Sequence, residues 1–272
     1  MRVGFIGLGS QGGPMARRIA EAGFDVTLWA RRSATLEPFA DTPAKTAQSP
    51  AELAAGSDLV CICVVGDEDV REVVGGDTGV LAGLPAGGIV AIHSTVHPDT
   101  CRELADLAAA HEVSVIDAPV SGGGPAAEDG KLLVMVGGDD RDVERCRPVF
   151  ATYADRIVHL GPLGSGQVTK ILNNLLFTAN LGSAVSTLEF GESLGIDRNR
   201  LSEVLNSGSA TSKALGSVAA FGGTLERLAP IAGALLQKDV RHAASIADAA
   251  SVSPTAVFDA ADAALRAMDF PR

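Results

Sequence analysis

Cysteine is scarce. The chain has four in 272 residues, Cys61, Cys63, Cys101 and Cys146. Cys61 and Cys63 alternate inside the apolar run Leu59–Val65, where a small thiol packs like any apolar side chain, so no disulfide framework is expected. No CxxC or HExxH spacing occurs and the five histidines are scattered, which argues against a structural zinc. Positive charge is in deficit, with 22 Lys and Arg against 33 Asp and Glu and a formal net charge of −11. Such a surface repels phosphodiester backbones and anionic lipid, so neither nucleic acid nor a membrane is expected as a partner. An anionic ligand must then be held by a local positive site. Also missing are an apolar run long enough to span a bilayer and the layout of a signal peptide. The expectation is a soluble cytoplasmic protein.

What is present is 46% hydrophobic and 20% charged sequence, enough for one large or two modest domains with a substantial core. Up to about residue 120, short apolar runs alternate with helix-like segments. The runs are Val3–Ile6, Val26–Trp29, Leu59–Val65, Ile89–Ile92 and Val113–Asp117, and between them lie Ala16–Ala22, Pro50–Ala55, Asp69–Val74 and Thr100–Ala110. Continuous apolar strands alternating with helices predict a parallel sheet covered on both faces, an α/β doubly wound, Rossmann-like domain. Leu132–Val136 and Ile157–Leu160 are expected to extend that sheet at one edge.

The pattern changes near Gly161. From Val168 onward the apolar residues follow helical spacing (Ile171, Leu172, Leu175, Leu176, Ala179, Leu181, Ala184, Leu188), one long helix ending at Gly195. Segments near 199–207, 225–236, 240–250 and 254–268 read as further helices. The predicted division is a Rossmann-like domain over 1–162 and an all-α domain over 163–272 that begins with the long helix.

Gly7-Leu8-Gly9-Ser10-Gln11-Gly12 follows the first strand and opens a helix. A plain strand–helix turn also uses glycine. In a βαβ unit, however, GxGxxG is the dinucleotide fingerprint: tight turn, close backbone approach to a pyrophosphate, close helix–strand packing. The pyrophosphate then lies on free N–H groups at a positive helix end. An NAD site places a carboxylate at the end of the second strand, about 20 residues after the fingerprint. Here that strand runs into Arg31-Arg32-Ser33, two guanidiniums and a hydroxyl suited to a 2′-phosphate, although a solvated turn has the same composition. NADP is expected as cofactor, NAD less so.

Ser121, Gly122 and Gly123 follow the strand ending at Asp117, at the carboxyl edge of the sheet where ligands bind. Such a turn offers hydroxyl and N–H donors to a carboxylate, or is simply a flexible loop. Lys170 and Asn174 are four apart and share one face of the long helix. Taken alone, a lysine near the start of a mostly apolar helix is one that snorkels.

Three segments, Asp117-Ala-Pro-Val-Ser121-Gly122-Gly123, Gly161-Pro-Leu-Gly164-Ser-Gly166-Gln-Val-Thr-Lys170-Ile-Leu-Asn173-Asn174 and Lys238-Asp239-Val240, join the opening Gly4-Phe-Ile-Gly-Leu-Gly9 in order and spacing. With them the chain resembles the β-hydroxyacid dehydrogenase family over nearly its whole length. That family includes 3-hydroxyisobutyrate dehydrogenases, tartronate semialdehyde reductases and glyoxylate/succinic semialdehyde reductases.

The resemblance implies an NADP(H)-dependent oxidoreductase that moves hydride between nicotinamide and a small β-hydroxyacid or semialdehyde. It implies an active site in the cleft between domains and a homodimer or homotetramer built through the helical domains. Lys170 would be the catalytic proton donor and acceptor, its pKa lowered by desolvation. Asn174 would fix substrate and lysine, with Asn173 beside it. Ser121, Gly122 and Gly123 would bind the substrate carboxylate, Thr95 would lie near the nicotinamide ribose, Lys238 near cofactor or substrate, and Val64 and Val65 against the cofactor.

Departures are Gln11, where most members have Met, and the end at Arg272, which on the resemblance would shorten the last helix and alter assembly. Ser207–Lys213 lies where the family reads substrate identity and names no substrate here. Two alternatives stay open. Imine reductases of the same superfamily typically lack a lysine at the Lys170 position, and a non-catalytic dinucleotide-binding protein would be expected to have lost Lys170 or the Ser-Gly-Gly loop.

Overall fold

The first two apolar runs form β1 (Arg2–Ile6) and β2 (Asp25–Trp29), parallel neighbours joined by α1 (Gly12–Glu21). The computed structural model describes all residues, Met1–Arg272. The chain continues through β3 (Lys45–Thr46), α2 (Pro50–Ala55), β4 (Leu59–Ile62), α3 (Asp67–Gly75), β5 (Ile89–Ile92), α4 (Pro98–Ala109) and β6 (Ser114–Asp117). These strands make one parallel six-stranded sheet in the order β3-β2-β1-β4-β5-β6. That order reverses between β1 and β4, so their carboxyl ends flank the crevice where doubly wound sheets bind ligands.

The inner strands are apolar throughout because both faces are covered. Val3, Phe5, Leu59, Cys61, Ile89 and Ala91 join one core with Met15, Ile19 and Phe150. Ile6, Val60, Ile62, Val90 and Ile92 join another with Leu53, Val73 and Leu104. Residues at alternate positions point to opposite faces. The expected run Leu59–Val65 stops as a strand at Ile62, and the following residues lead over the carboxyl edge.

One expectation is corrected. The apolar runs beyond residue 130 do not extend the main sheet. β7 (Val120–Ser121), β8 (Leu132–Val136) and β9 (Ala154–His159) form a separate three-stranded sheet, with α5 (Gly123–Glu128) and α6 (Asp140–Phe150) between them. β8 meets β6 through a single bridge, Asp117 with Gly137. That bridge is in register with the β7–β8 ladder, and between them the Met135 amide donates to the Pro119 carbonyl at 3.0 Å; Pro119 has no N–H to return, so the pairing is interrupted there and β8 takes β7 as its partner.

The chain divides into two compact units, Met1–Lys170 and Ile171–Arg272, and the division falls inside α7 (Ser165–Ser193). In the second unit, the expected long helix is present with 29 residues. Its Ile171, Leu175, Leu181 and Leu188 pack with residues of α8 (Arg198–Ser207), α9 (Lys213–Ala220), α10 (Ala229–Ala249) and α11 (Thr255–Ala267), all within one core. The two segments expected near 225–236 and 240–250 are one helix, α10. Nothing in Leu236-Gln-Lys-Asp-Val240 breaks a helix, so the chain runs straight on. No helix is long and apolar enough to cross a membrane.

Candidate active site

Ile6 ends β1 at the centre of the sheet, and the glycine-rich turn begins there. Gly7 has φ +96°, and a Cβ on it would collide with the carbonyl oxygen of Cys63, just beyond β4. A Cβ on Gly12 would collide with the Gly7 carbonyl. Both glycines are therefore demanded by the fold itself. Gly9 differs: a Cβ there meets nothing within 4 Å. The space left by its missing side chain faces outward and fits close backbone approach by a pyrophosphate. The first turn of α1 carries no side-chain cap and no acidic residue, so its N–H groups suit an anion. The turn thus fits a dinucleotide. Leu8 itself is buried in the core and would contribute backbone only. Ser10 is exposed, and Gln11 is the N-cap, its carbonyl accepting from the Met15 amide.

The Ser-Gly-Gly segment is structured. Ser121 lies in β7, Gly122 (φ +138°) is the N-cap of α5, and Gly123 (φ +76°) is its first residue. A Cβ on Gly124 would come 2.7 Å from the Ser10 carbonyl oxygen. The two glycine-rich motifs, more than 100 residues apart in sequence, therefore meet in space.

Arg31, Arg32 and Ser33 are exposed and follow β2, the neighbour of β1. Arg31 donates to Asp69 (3.0 Å) and Glu72 (3.1 Å) on α3, so one member of the expected phosphate clamp is already paired with carboxylates. Val64 is corrected in one respect: its amide donates to Ser94 Oγ at 2.8 Å and is not free for a ligand. Val65 is 68% exposed and available for contact. Thr95 is half-buried between Ser94 and Val96.

Lys170 is buried, 9% exposed, in the early turns of α7. Two residues that sequence reasoning did not assign hold that end of the helix. Asp117 Oδ1 accepts from the Gly164 amide at 2.7 Å and Oδ2 from the Gln167 amide at 2.6 Å. Burial nonetheless pushes the Asp117 pKa up to about 6 against these hydrogen bonds. Gln167, fully buried, donates Nε2 to the Ser94 carbonyl (2.8 Å) and accepts from the Val96 amide (3.1 Å).

In the second unit, the third unassigned residue links two assigned ones. Asp239 is 3% exposed and accepts from Asn174 Nδ2 at 2.6 Å and from Lys238 Nζ at 2.8 Å. Asn173 donates to Asn174 Oδ1 at 3.0 Å. A buried carboxylate with two hydrogen-bonded partners fixes both of them. The signal was the Lys238-Asp239 pair itself, an acid beside a candidate lysine, where a buried carboxylate must find donors.

Residues 2–161 match the model described as the NAD binding domain of 6-phosphogluconate dehydrogenase. Residues 164–269 match that described as NAD-binding of NADP-dependent 3-hydroxyisobutyrate dehydrogenase. The chain belongs to the β-hydroxyacid dehydrogenase family. Within it, the chain is 38% identical over 212 residues to an uncharacterized oxidoreductase of Shewanella frigidimarina, covering 78% of this chain and 73% of that one. It is 34% identical over 213 residues to 3-hydroxyisobutyrate dehydrogenase of Pseudomonas aeruginosa, covering 78% and 72%. Among solved structures it resembles 3-hydroxyisobutyrate dehydrogenase of Mycobacterium tuberculosis with L-serine, with a TM-score of 0.85 and 28% identity over 99% of this chain and 95% of that one. As a member of this family the chain is an oxidoreductase that binds a nicotinamide dinucleotide.

Proposed function

We propose that this β-hydroxyacid dehydrogenase uses NADP(H) to interconvert a small β-hydroxyacid and its semialdehyde, with Lys170 moving the proton. The observation that carries the reading is a buried lysine, Lys170, on a helix start tied to Asp117 at the end of β6, from which the chain runs into Ser121-Gly122-Gly123 beside the dinucleotide turn. When bound, the nicotinamide supplies or accepts the hydride. Ser121 Oγ and the amides of Gly122 and Gly123 hold the substrate carboxylate. The Lys170 ammonium donates to the carbonyl oxygen as it gains negative charge, and the amine takes the proton back in the oxidative direction. Asn174, one turn further along α7, holds lysine and substrate in place. Lys238, held by Asp239, contacts cofactor or substrate, and Thr95 and Val65 line the nicotinamide side.

The turn over Gly7–Gly12 receives the pyrophosphate. Arg31, Arg32 and Ser33 receive the 2′-phosphate. The pairs from Arg31 to Asp69 and Glu72 are exposed and worth about 0–1 kcal/mol each, less than a bidentate guanidinium–phosphate contact, so Arg31 would exchange them for a bound 2′-phosphate. A homodimer or homotetramer in the cytoplasm completes the proposal. Exposed Leu172 and Leu176 on α7 and Ile231 and Leu235 on α10 support self-association of the helical unit.

The test is a panel of initial rates. NADPH and NADH are run with succinic, methylmalonate and tartronate semialdehydes and glyoxylate; NADP⁺ and NAD⁺ are run with 3-hydroxyisobutyrate and 3-hydroxypropionate. Turnover with NADPH preferred is expected. NADH preference removes the phosphate clamp, and binding of cofactor with no turnover anywhere removes the enzymatic reading.

A further inference from the structure

We propose that Gln167 and Asp117 form a two-point anchor that positions Thr95 and Lys170 relative to each other, an assignment that rests on the hydride-transfer reading above. The Gln167 carboxamide grips the two peptide groups that flank Thr95. Its Nε2 donates to the Ser94 carbonyl at 2.8 Å and its Oε1 accepts from the Val96 amide at 3.1 Å. Both contacts bridge more than 70 residues of chain and lie with no solvent exposure at Gln167. The backbone amide of the same residue donates to Asp117 Oδ2, while Gly164 donates to Oδ1. One residue therefore ties the segment after β5 through its side chain and the end of β6 through its backbone. Ser94 Oγ accepts from the Val64 amide at 2.8 Å, so the loop after β4 joins the same network.

Lys170 lies three residues beyond Gln167, a rise of about 4.5 Å and roughly one turn. Its Cα is thus fixed by whatever fixes Gln167. The surroundings are shaped for this contact. A Cβ on Gly137 would collide with Asp117 Oδ1, and one on Gly166 with the Met135 carbonyl, lying also 2.8 Å from Asp117 Oδ2. Side chains at either position would evict the carboxylate. The glycines of Gly161-Pro-Leu-Gly164-Ser-Gly166 thereby gain a physical reason: Gly164 has φ +95°, and Gly166 lets α7 start against the edge of β8. Neither Gln167 nor Asp117 touches the reacting atoms in this scheme; they act through Thr95 and Lys170.

Gln167→Met keeps the side-chain length and removes both hydrogen bonds. Asp117→Asn replaces one acceptor oxygen by an NH2 group that faces an amide donor. Val143→Ala, a truncation in the core of α6, serves as a control for destabilisation. Measured on the full-length protein at pH 7.5, Gln167→Met is expected to lower kcat on the order of 10²-fold, the usual effect of misplacing catalytic groups by about 1 Å. KM is expected to shift less than kcat, and the dissociation constant for NADPH, read by fluorescence, to stay within about threefold of the parent. Asp117→Asn is expected to lower kcat in the same sense, and Val143→Ala to lower the melting temperature with kcat unchanged. Hydrogen exchange at the Val96 amide should accelerate in Gln167→Met, and at Gly164 and Gln167 in Asp117→Asn. If Gln167→Met keeps kcat within threefold, or loses it no more than Val143→Ala, the positioning role is wrong. The exchange readout separates this from failure of the functional reading. If the parent turns over no substrate, faster exchange at Val96 still establishes the anchor, and unchanged exchange overturns it.

Discussion

His93 follows β5 inside the core of the first unit, almost wholly removed from water at 2% exposure. Its Nδ1 lies 2.7 Å from the Ala118 carbonyl and its Nε2 3.3 Å from Tyr153 Oη. A neutral ring with the proton on Nδ1 satisfies both, donating to the carbonyl and accepting from the phenol. Phe150 and Phe5 pack around it. Burial drives its pKa from 6.5 down to about 4, and each tenfold change in proton affinity between the folded and unfolded chain is worth about 1.4 kcal/mol. The depressed folded value means that the unfolded chain binds the proton first. His93 therefore contributes about 3 kcal/mol above pH 6.5 that is lost as pH falls from 6.5 to about 4.

Asp117 runs the other way. Its folded value is raised from 3.8 to about 6, so its contribution is fully present below 3.8 and is lost as pH rises through 6. Between pH 4 and 6 the two slopes offset each other in the parent. His93→Gln, which can still donate and accept, removes one of them. Urea unfolding followed by the single tryptophan, Trp29 at the end of β2, reads the first unit directly. The stability of parent minus His93→Gln is expected to shrink by about 3 kcal/mol between pH 7 and pH 4. In Asp117→Asn, where His93 acts unopposed, stability is expected to fall more steeply on acidification through this window than in the parent. A parent-minus-variant difference that stays constant from pH 7 to 4 refutes the assignment of His93 as a buried neutral ring.

The three glycines of the dinucleotide turn should separate by experiment. Gly7→Ala is expected to destabilise the first unit by roughly 1–3 kcal/mol through its positive φ and the clash with Cys63, read as a lower urea midpoint. Gly9→Ala, with open space around its Cβ, should leave that midpoint in place and weaken NADPH binding in a fluorescence titration. Glu72→Gln removes one of the two carboxylates on Arg31 and is expected to tighten NADPH by about 2–5-fold without changing NADH affinity, since exposed pairs are worth at most about 1 kcal/mol. Asp239→Ala strips the buried partner of Asn174 and Lys238 and should cost the helical unit about 1–3 kcal/mol in thermal unfolding.

Much of the fold was legible because each inner strand of the main sheet is buried on both faces and reads as an unbroken apolar run. The same signal overran at Leu59–Val65, where Cys63–Val65 leave the sheet at its carboxyl edge. It also failed to separate β8 and β9 from the main sheet, since apolar runs carry no mark of which strand they pair with; β8 takes β7, beyond Pro119, and meets β6 only at Asp117. In α10 two apolar stretches were divided at Lys238-Asp239, polar residues that a helix accommodates readily when they pair with each other and with Asn174. At the site, local motifs were visible, whereas the buried partners were not. Asp117 and Gln167 contact residues 47 to 73 positions away, and no periodicity announces such contacts. The available clue was an acid at the end of an apolar strand, a place where a carboxylate must find donors or stay protonated. Arg31 shows the converse: its position after β2 was readable, and its two carboxylate partners on α3 were not.

The most direct measurement is the pH profile of kcat for the parent and for Lys170→Ala with the best substrate of the panel, alongside NADPH titrations of both. Lys170→Ala is expected to bind NADPH as the parent does, to lose about 10²–10⁴-fold in kcat, and to lack the ionisation that limits the parent profile. Near-parental kcat in Lys170→Ala, with the same profile, would contradict proton transfer by Lys170.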